Sequence, residues 1–181
     1  MTEIIKETAI TKRVNGKSKG NSFERKIANA LSDRFSQLLG IKSSFRRNAD
    51  SGSFFGGANM RRVNEYDLDH ANFGDLICPK NFNFSIECKH YKTPPTFQSI
   101  IKQSVTQWDK WVSQAEQDAK NSGKLVLLII KYNNVPEFAM IKDKLAVDEI
   151  FKYNGYYAYT LDALLAEKDE LFFTLASGTS V

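Results

Sequence analysis

The stretch Phe73-Gly74-Asp75-Leu76-Ile77-Cys78-Pro79-Lys80-Asn81-Phe82-Asn83-Phe84-Ser85-Ile86-Glu87-Cys88-Lys89-His90 decides how this chain is read. Two short apolar runs, 73–78 and 82–90, flank a Pro-Lys-Asn turn, so the spacing predicts two strands joined in a hairpin. Side chains alternate along a strand. Glu87 and Lys89 therefore share one face, while Ile86 and Cys88 take the other. A turn centred near 80–81 would set Asp75 opposite Glu87, within about one residue of register, where paired Cβ atoms lie ~4.5–5.5 Å apart. Carboxylates that close repel, and a cation or a proton must neutralise them.

A hard divalent ion suits such a pair. Magnesium takes one or two carboxylates, keeps several waters and leaves room for a substrate phosphate. A lysine beside it can orient an attacking water and stabilise charge on phosphoryl oxygens. The residues thus point to metal-assisted phosphodiester hydrolysis. Strand context carries this reading, because an acidic residue two before a lysine also occurs at Glu24-Arg25-Lys26 and Asp118-Ala119-Lys120. Both of those fall in predicted helices, where positions i and i+2 diverge.

Working outward, Asn21 or Ser22 caps a helix whose Phe23, Ile27, Leu31, Phe35 and Leu38 mark the buried stripe, and Gly40 stops it. Ile41 to Arg47 predicts a short strand anchored by Phe45. A helix follows from about Thr96 to Lys120, with Ile100, Ile101, Val105, Trp108, Val112 and Ala115 inward. The run from Lys124 to Lys131 contains Leu-Val-Leu-Leu-Ile-Ile, as expected of a central or parallel strand buried on both faces. Strands at Phe138 to Ile141 and Tyr156 to Thr160, then a helix at Leu161 to Ala166, complete an α/β layer fold built on a mixed sheet flanked by helices.

The chain has 181 residues, 42% of them hydrophobic and 25% charged, enough for one domain with a real core. Residues 1–20 form a basic arm, 21–176 the single domain with a long loop or hairpin insertion at 48–72, and 177–181 a tail. No apolar run is long enough for a membrane span, and no secretory signal pattern opens the chain, so the cytoplasm is the default compartment. Cys78 and Cys88 form no disulfide framework and read as small buried apolar residues. The net charge of +4 fits a polyanionic partner. Its cations cluster at Lys6, Lys12, Arg13, Lys17 and Lys19, and again at Lys42, Arg46, Arg47, Arg61 and Arg62.

Together these elements resemble the PD-(D/E)XK nuclease superfamily, and within it the archaeal Holliday-junction resolvases and related phage nucleases. The resemblance runs from Lys19 to about Ile130. It rests on Gly20 to Arg25 opening the first helix, Arg46-Arg47 followed by Ser51-Gly52, the strand with Asp75, and Ile86-Glu87-Cys88-Lys89, with the long helix and apolar strand after them. It implies a restriction-endonuclease-like fold and a Mg²⁺-dependent DNA endonuclease, Mn²⁺ substituting, acting on branched or duplex DNA in recombination or repair. It further implies a homodimer, and the host cytoplasm if the gene is a phage's.

By the same resemblance Asp75 and Glu87 ligate the metal with the Cys88 carbonyl, Lys89 is the catalytic lysine, and Glu24 approaches the site. Arg46, Arg47, Ser51, Arg61, Arg62, Lys92, Lys17 and Lys19 are the expected DNA contacts. Similar nucleases often carry a helical glutamine near the active site, for which Gln103 and Gln107 are the candidates, although a helix-surface glutamine is the favoured reading of both. Gly74 stands where the superfamily's name has proline, and the 48–72 segment exceeds the link usual in resolvases. A restriction-type or exonucleolytic enzyme, or a DNA-binding protein that no longer cuts, remain the alternatives. Trp108 and Trp111 are read as core rather than base-stacking residues, and His70 with Asp67 and Asp69 as a solvated loop.

Overall fold

The computed structural model describes residues 16–48 and 73–174. Ser51, Arg61, Arg62, Asp67, Asp69 and His70, the segment 49–72 and residues 1–15 lie outside the described residues.

Helix α1 spans Gly16–Leu39 and buries Phe23, Ile27, Leu31 and Phe35 along one stripe. It opens five residues before the Asn21 start that the capping signal suggested. Gly16 and Gly20 read locally as helix breakers, yet Lys19 is tied across to Asn133 by a 2.5 Å hydrogen bond that holds the first turn on the domain. Lys17 and Lys19 are therefore helical and not part of an arm. Leu38, expected in the stripe, is exposed. Gly40 ends the helix at φ +64° as expected.

Strand β1 (Arg46–Arg47) pairs antiparallel with β2 (Leu76–Ile77) in a small separate ladder. The full hairpin ladder expected between 73–78 and 82–90 does not form, because β2 pairs with β1; the turn from Pro79 to Phe82 and a backbone bond from Asp75 N–H to the Ile86 carbonyl, within one residue of the expected register, remain. The main sheet holds β3 (Phe84–Tyr91), β4 (Leu125–Tyr132), β5 (Phe138–Ile141), β7 (Tyr156–Thr160) and β6 (Phe151–Tyr153), in that order. β3 and β4 run parallel and the remaining pairs antiparallel. Among the described residues β3 is the edge strand of this sheet.

Alternation along β4 explains its unbroken apolar run. Leu127 and Ile129 enter the core shared with α1, while Val126, Leu128, Ile130 and Tyr132 enter a second core on the opposite face. That second core is roofed by α3 (Thr106–Ser122) through Trp108, Trp111, Ala115 and Ala119. Trp108 donates to the Tyr132 hydroxyl at 2.7 Å, so its one polar atom is satisfied in the interior.

The single helix expected from Thr96 to Lys120 is two. A short α2 (Phe97–Ile101), capped by Thr96, stops before α3 begins. Gln103 sits between them at φ +51°. It is held there by its side chain, which donates to the Lys152 carbonyl at 2.9 Å and accepts from Asn154 N–H at 2.6 Å. A tertiary tie to the β6–β7 turn outweighs the local helical pattern. Helices α4 (Leu161–Leu165) and α5 (Asp169–Phe172) close the described chain.

Candidate active site

The outer edge of β3 organises the site. Asp75 N–H donates to the Ile86 carbonyl at 2.8 Å, and Asp75 Oδ2 accepts from Cys88 N–H at 2.8 Å. Asp75 thereby answers an outward carbonyl and an outward amide of the edge strand, and its carboxylate comes to rest beside residues 86–88. N–H and C=O of one strand residue face the same neighbour, so the Cys88 carbonyl faces this edge too.

Gly74 makes that approach possible. Its φ is +83°, and a Cβ there would lie 2.5 Å from the Ile86 carbonyl oxygen. Proline, confined to φ near −65°, cannot adopt this backbone. The departure from the superfamily's proline therefore has a local cause.

On β3 itself, Glu87 and Lys89 project together, as alternation requires, and their side chains are in contact. The glutamine expected from the α2–α3 region is present at a different position. Gln114 on α3 donates to Glu87 Oε1 at 2.7 Å and accepts from Lys89 Nζ at 3.3 Å. Gln103 is occupied at the helix break, and Gln107 is half-buried about two turns before Gln114. One turn past Gln114, Asp118 also lies in the field of Asp75 and Lys89. Gln114 was not singled out in the sequence, and Asp118 was set aside there as a helical acidic-x-lysine copy; the available signal was a polar i, i+4 pair on an amphipathic helix.

Electrostatics match the geometry. Glu87 is 2% exposed, and burial together with the Asp75 charge pushes its carboxyl up to about 8, against the opposing pull of Lys89. Glu24, on α1, is raised by burial and again by Asp75, although Arg47 opposes the shift. Arg47 donates to Glu24 Oε2 at 2.6 Å and to Asn21 Oδ1 at 3.0 Å. Burial depresses Lys89, but Glu87 outweighs it and the ammonium is held above its ordinary range. Burial raises the Cys88 thiol well above its usual value and Cys78 to about 12, so both sulfurs are inert core atoms.

Glu87 and Glu24, pushed toward protonation by burial and then by the Asp75 charge, mark a donor set short of positive charge. Asp75, Glu87 and the Cys88 carbonyl supply oxygens of the kind magnesium prefers. Among the described residues no three His, Cys, Asp or Glu side chains form a ready cation cage, so the backbone carbonyl and solvent would have to complete the shell.

The expected DNA contacts divide. Arg46 and Lys92 are exposed, Lys19 lines the cleft beside Lys89, and Arg47 is engaged by Glu24. His90, on the face opposite Lys89, packs edge-on against Phe23 with ring centroids 5.4 Å apart.

An aspartate seated on an edge strand beside Glu-Cys-Lys, in a mixed sheet flanked by helices, defines the PD-(D/E)XK nuclease class. The chain belongs to the family described as "Phage putative PDDEXK endonuclease", which matches residues 15–176. Among solved structures it is similar to Hjc, a Holliday junction resolvase from Archaeoglobus fulgidus, at 15% identity over 85% of this chain and 94% of that one, with a TM-score of 0.38. No curated protein matches it. No helix among the described residues is long and apolar enough to cross a membrane.

Proposed function

We propose that this protein is a divalent-metal-dependent DNA endonuclease, with Asp75, Glu87 and the Cys88 carbonyl holding Mg²⁺ or Mn²⁺ and Lys89 acting at the scissile phosphate. The hydrogen bond from Cys88 N–H to Asp75 carries this reading, because it draws the two carboxylates and the lysine to one strand edge. The ion, when bound, supplies Lewis acidity toward the phosphoryl oxygens. Lys89 then has less call on Glu87 and can donate to a non-bridging oxygen or hold the attacking water in line. Gln114 steers both Glu87 and Lys89. Glu24, fixed by Arg47, would place a further water at the rim.

Branched or otherwise structured DNA is the substrate to which the sequence resemblance points, and two symmetric cuts would require a two-fold homodimer. Four-way junction, flap and linear duplex, each incubated with Mg²⁺ or EDTA, test the proposal. Mg²⁺-dependent cuts, strongest in the junction, are expected. DNA bound but never cut would reject the enzymatic reading; equal cutting of linear duplex would reject the structural preference.

A further inference from the structure

A cleft of about 740 Å³ opens beside Lys89. One wall follows β3 from Cys88 to Lys92. The other is the first turn of α1 at Gly16, Lys19 and Gly20, and Asn133 after β4 closes the end. Its cations are Lys19, Lys89 and Lys92, and no acidic side chain is among its described lining residues. Lys19 is positioned, not free to wander, since Asn133 holds its ammonium. Lys89 is paired with Glu87, and the other two ammonium groups, on Lys19 and Lys92, suit successive phosphates of a polyanion.

The glycines sharpen this. A Cβ at Gly16 would meet nothing within 4 Å, and at Gly20 only Glu24 Oε1 at 3.8 Å. Neither glycine has a positive φ. Neither packing nor backbone conformation demands glycine here, and Gly20 in particular weakens the helix relative to alanine. What the pair leaves is a bare helix wall facing the cations.

We propose that this cleft is the track for the DNA strand leading away from the scissile phosphate. Lys19 and Lys92 contact its phosphates, and Gly16 and Gly20 let that backbone lie against α1. The assignment rests on the nuclease reading for its direction, not for its phosphate chemistry.

The test compares Gly20→Ala, Gly20→Leu and Lys19→Gln with wild type, measuring DNA binding in EDTA, steady-state cleavage in Mg²⁺ and melting temperature. Gly20→Ala is expected to melt about 2–4 °C higher. Gly20→Leu, which fills the cleft, should bind at least roughly tenfold more weakly and raise KM with kcat little changed, an effect of ~1.4 kcal/mol or more. Over a fourfold rise in salt, Lys19→Gln should lose about 3.5-fold less affinity than wild type, the signature of one lost phosphate contact. Wild-type binding by Gly20→Leu, or an unchanged salt slope in Lys19→Gln, overturns the track. Should Gly20→Leu fail to fold, the salt slope alone decides. If wild type never cuts yet these binding effects persist, the track stands and the nuclease reading falls.

Discussion

Cys88 N–H donates to Asp75 Oδ2 at 2.8 Å, so an edge-strand amide is satisfied by the very carboxylate that faces Glu87. Structure and candidate chemistry meet in one bond. Asp75→Asn retains an acceptor and loses the charge, whereas Asp75→Ala leaves the buried amide unanswered. Both should lose at least about a hundredfold in cleavage. Only the alanine variant should also lose about 1–3 kcal/mol of stability, a melting shift of roughly 2–4 °C per kcal/mol. Single-turnover cleavage and calorimetry separate the two effects.

Gln114, itself exposed on α3, bridges Glu87 and Lys89. Gln114→Ala should lower kcat about tenfold, or ~1.4 kcal/mol of barrier, and leave DNA affinity and melting temperature nearly unchanged. Unaltered kcat would show that Lys89 is steered by other means.

Gly74 tolerates no side chain. In Gly74→Ala a Cβ would press on the Ile86 carbonyl at 2.5 Å in a left-handed backbone. The variant should lose roughly 1–3 kcal/mol and, because Asp75 is displaced, most of its cleavage. Equal melting temperatures for the variant and wild type would contradict the backbone geometry.

The raised Glu87 carboxyl predicts a sign. Its folded value of about 8 exceeds the ordinary 4.5, so the folded chain binds the extra proton. That stability is complete below 4.5 and lost as pH rises through 8. Glu24 shifts in the same direction. The lowered His90 acts only toward acid pH, and the raised Lys89 only above its ordinary 10.5. In EDTA, wild type should therefore melt lower at pH 9 than at pH 7, and Glu87→Gln should show a smaller drop. Mg²⁺ should raise the wild-type melting temperature most at the alkaline end.

Much of this was legible from residue order because it is local. Strand periodicity is set by covalent geometry, so Glu87 and Lys89 had to share a face once 84–91 was a strand. The apolar run of β4 could only be buried on both sides. The extended boundary of α1 was not legible, since Gly16 and Gly20 look like breakers until Lys19 finds Asn133 more than a hundred residues away. Nor was the helix break at Gln103, which local propensity opposes and bonds to Lys152 and Asn154 impose.

The sequence by itself determined that Glu87 and Lys89 share a strand face near Asp75, and the mixed sheet that carries them, because alternation and hydrophobic patterning act between near neighbours. Tertiary structure decided which partners complete that set. It seated Asp75 on the β3 edge through Gly74 and not through a hairpin. It also chose Gln114 over Gln103 and Gln107, because only packing of α3 on the sheet brings one particular helix-surface glutamine against Glu87.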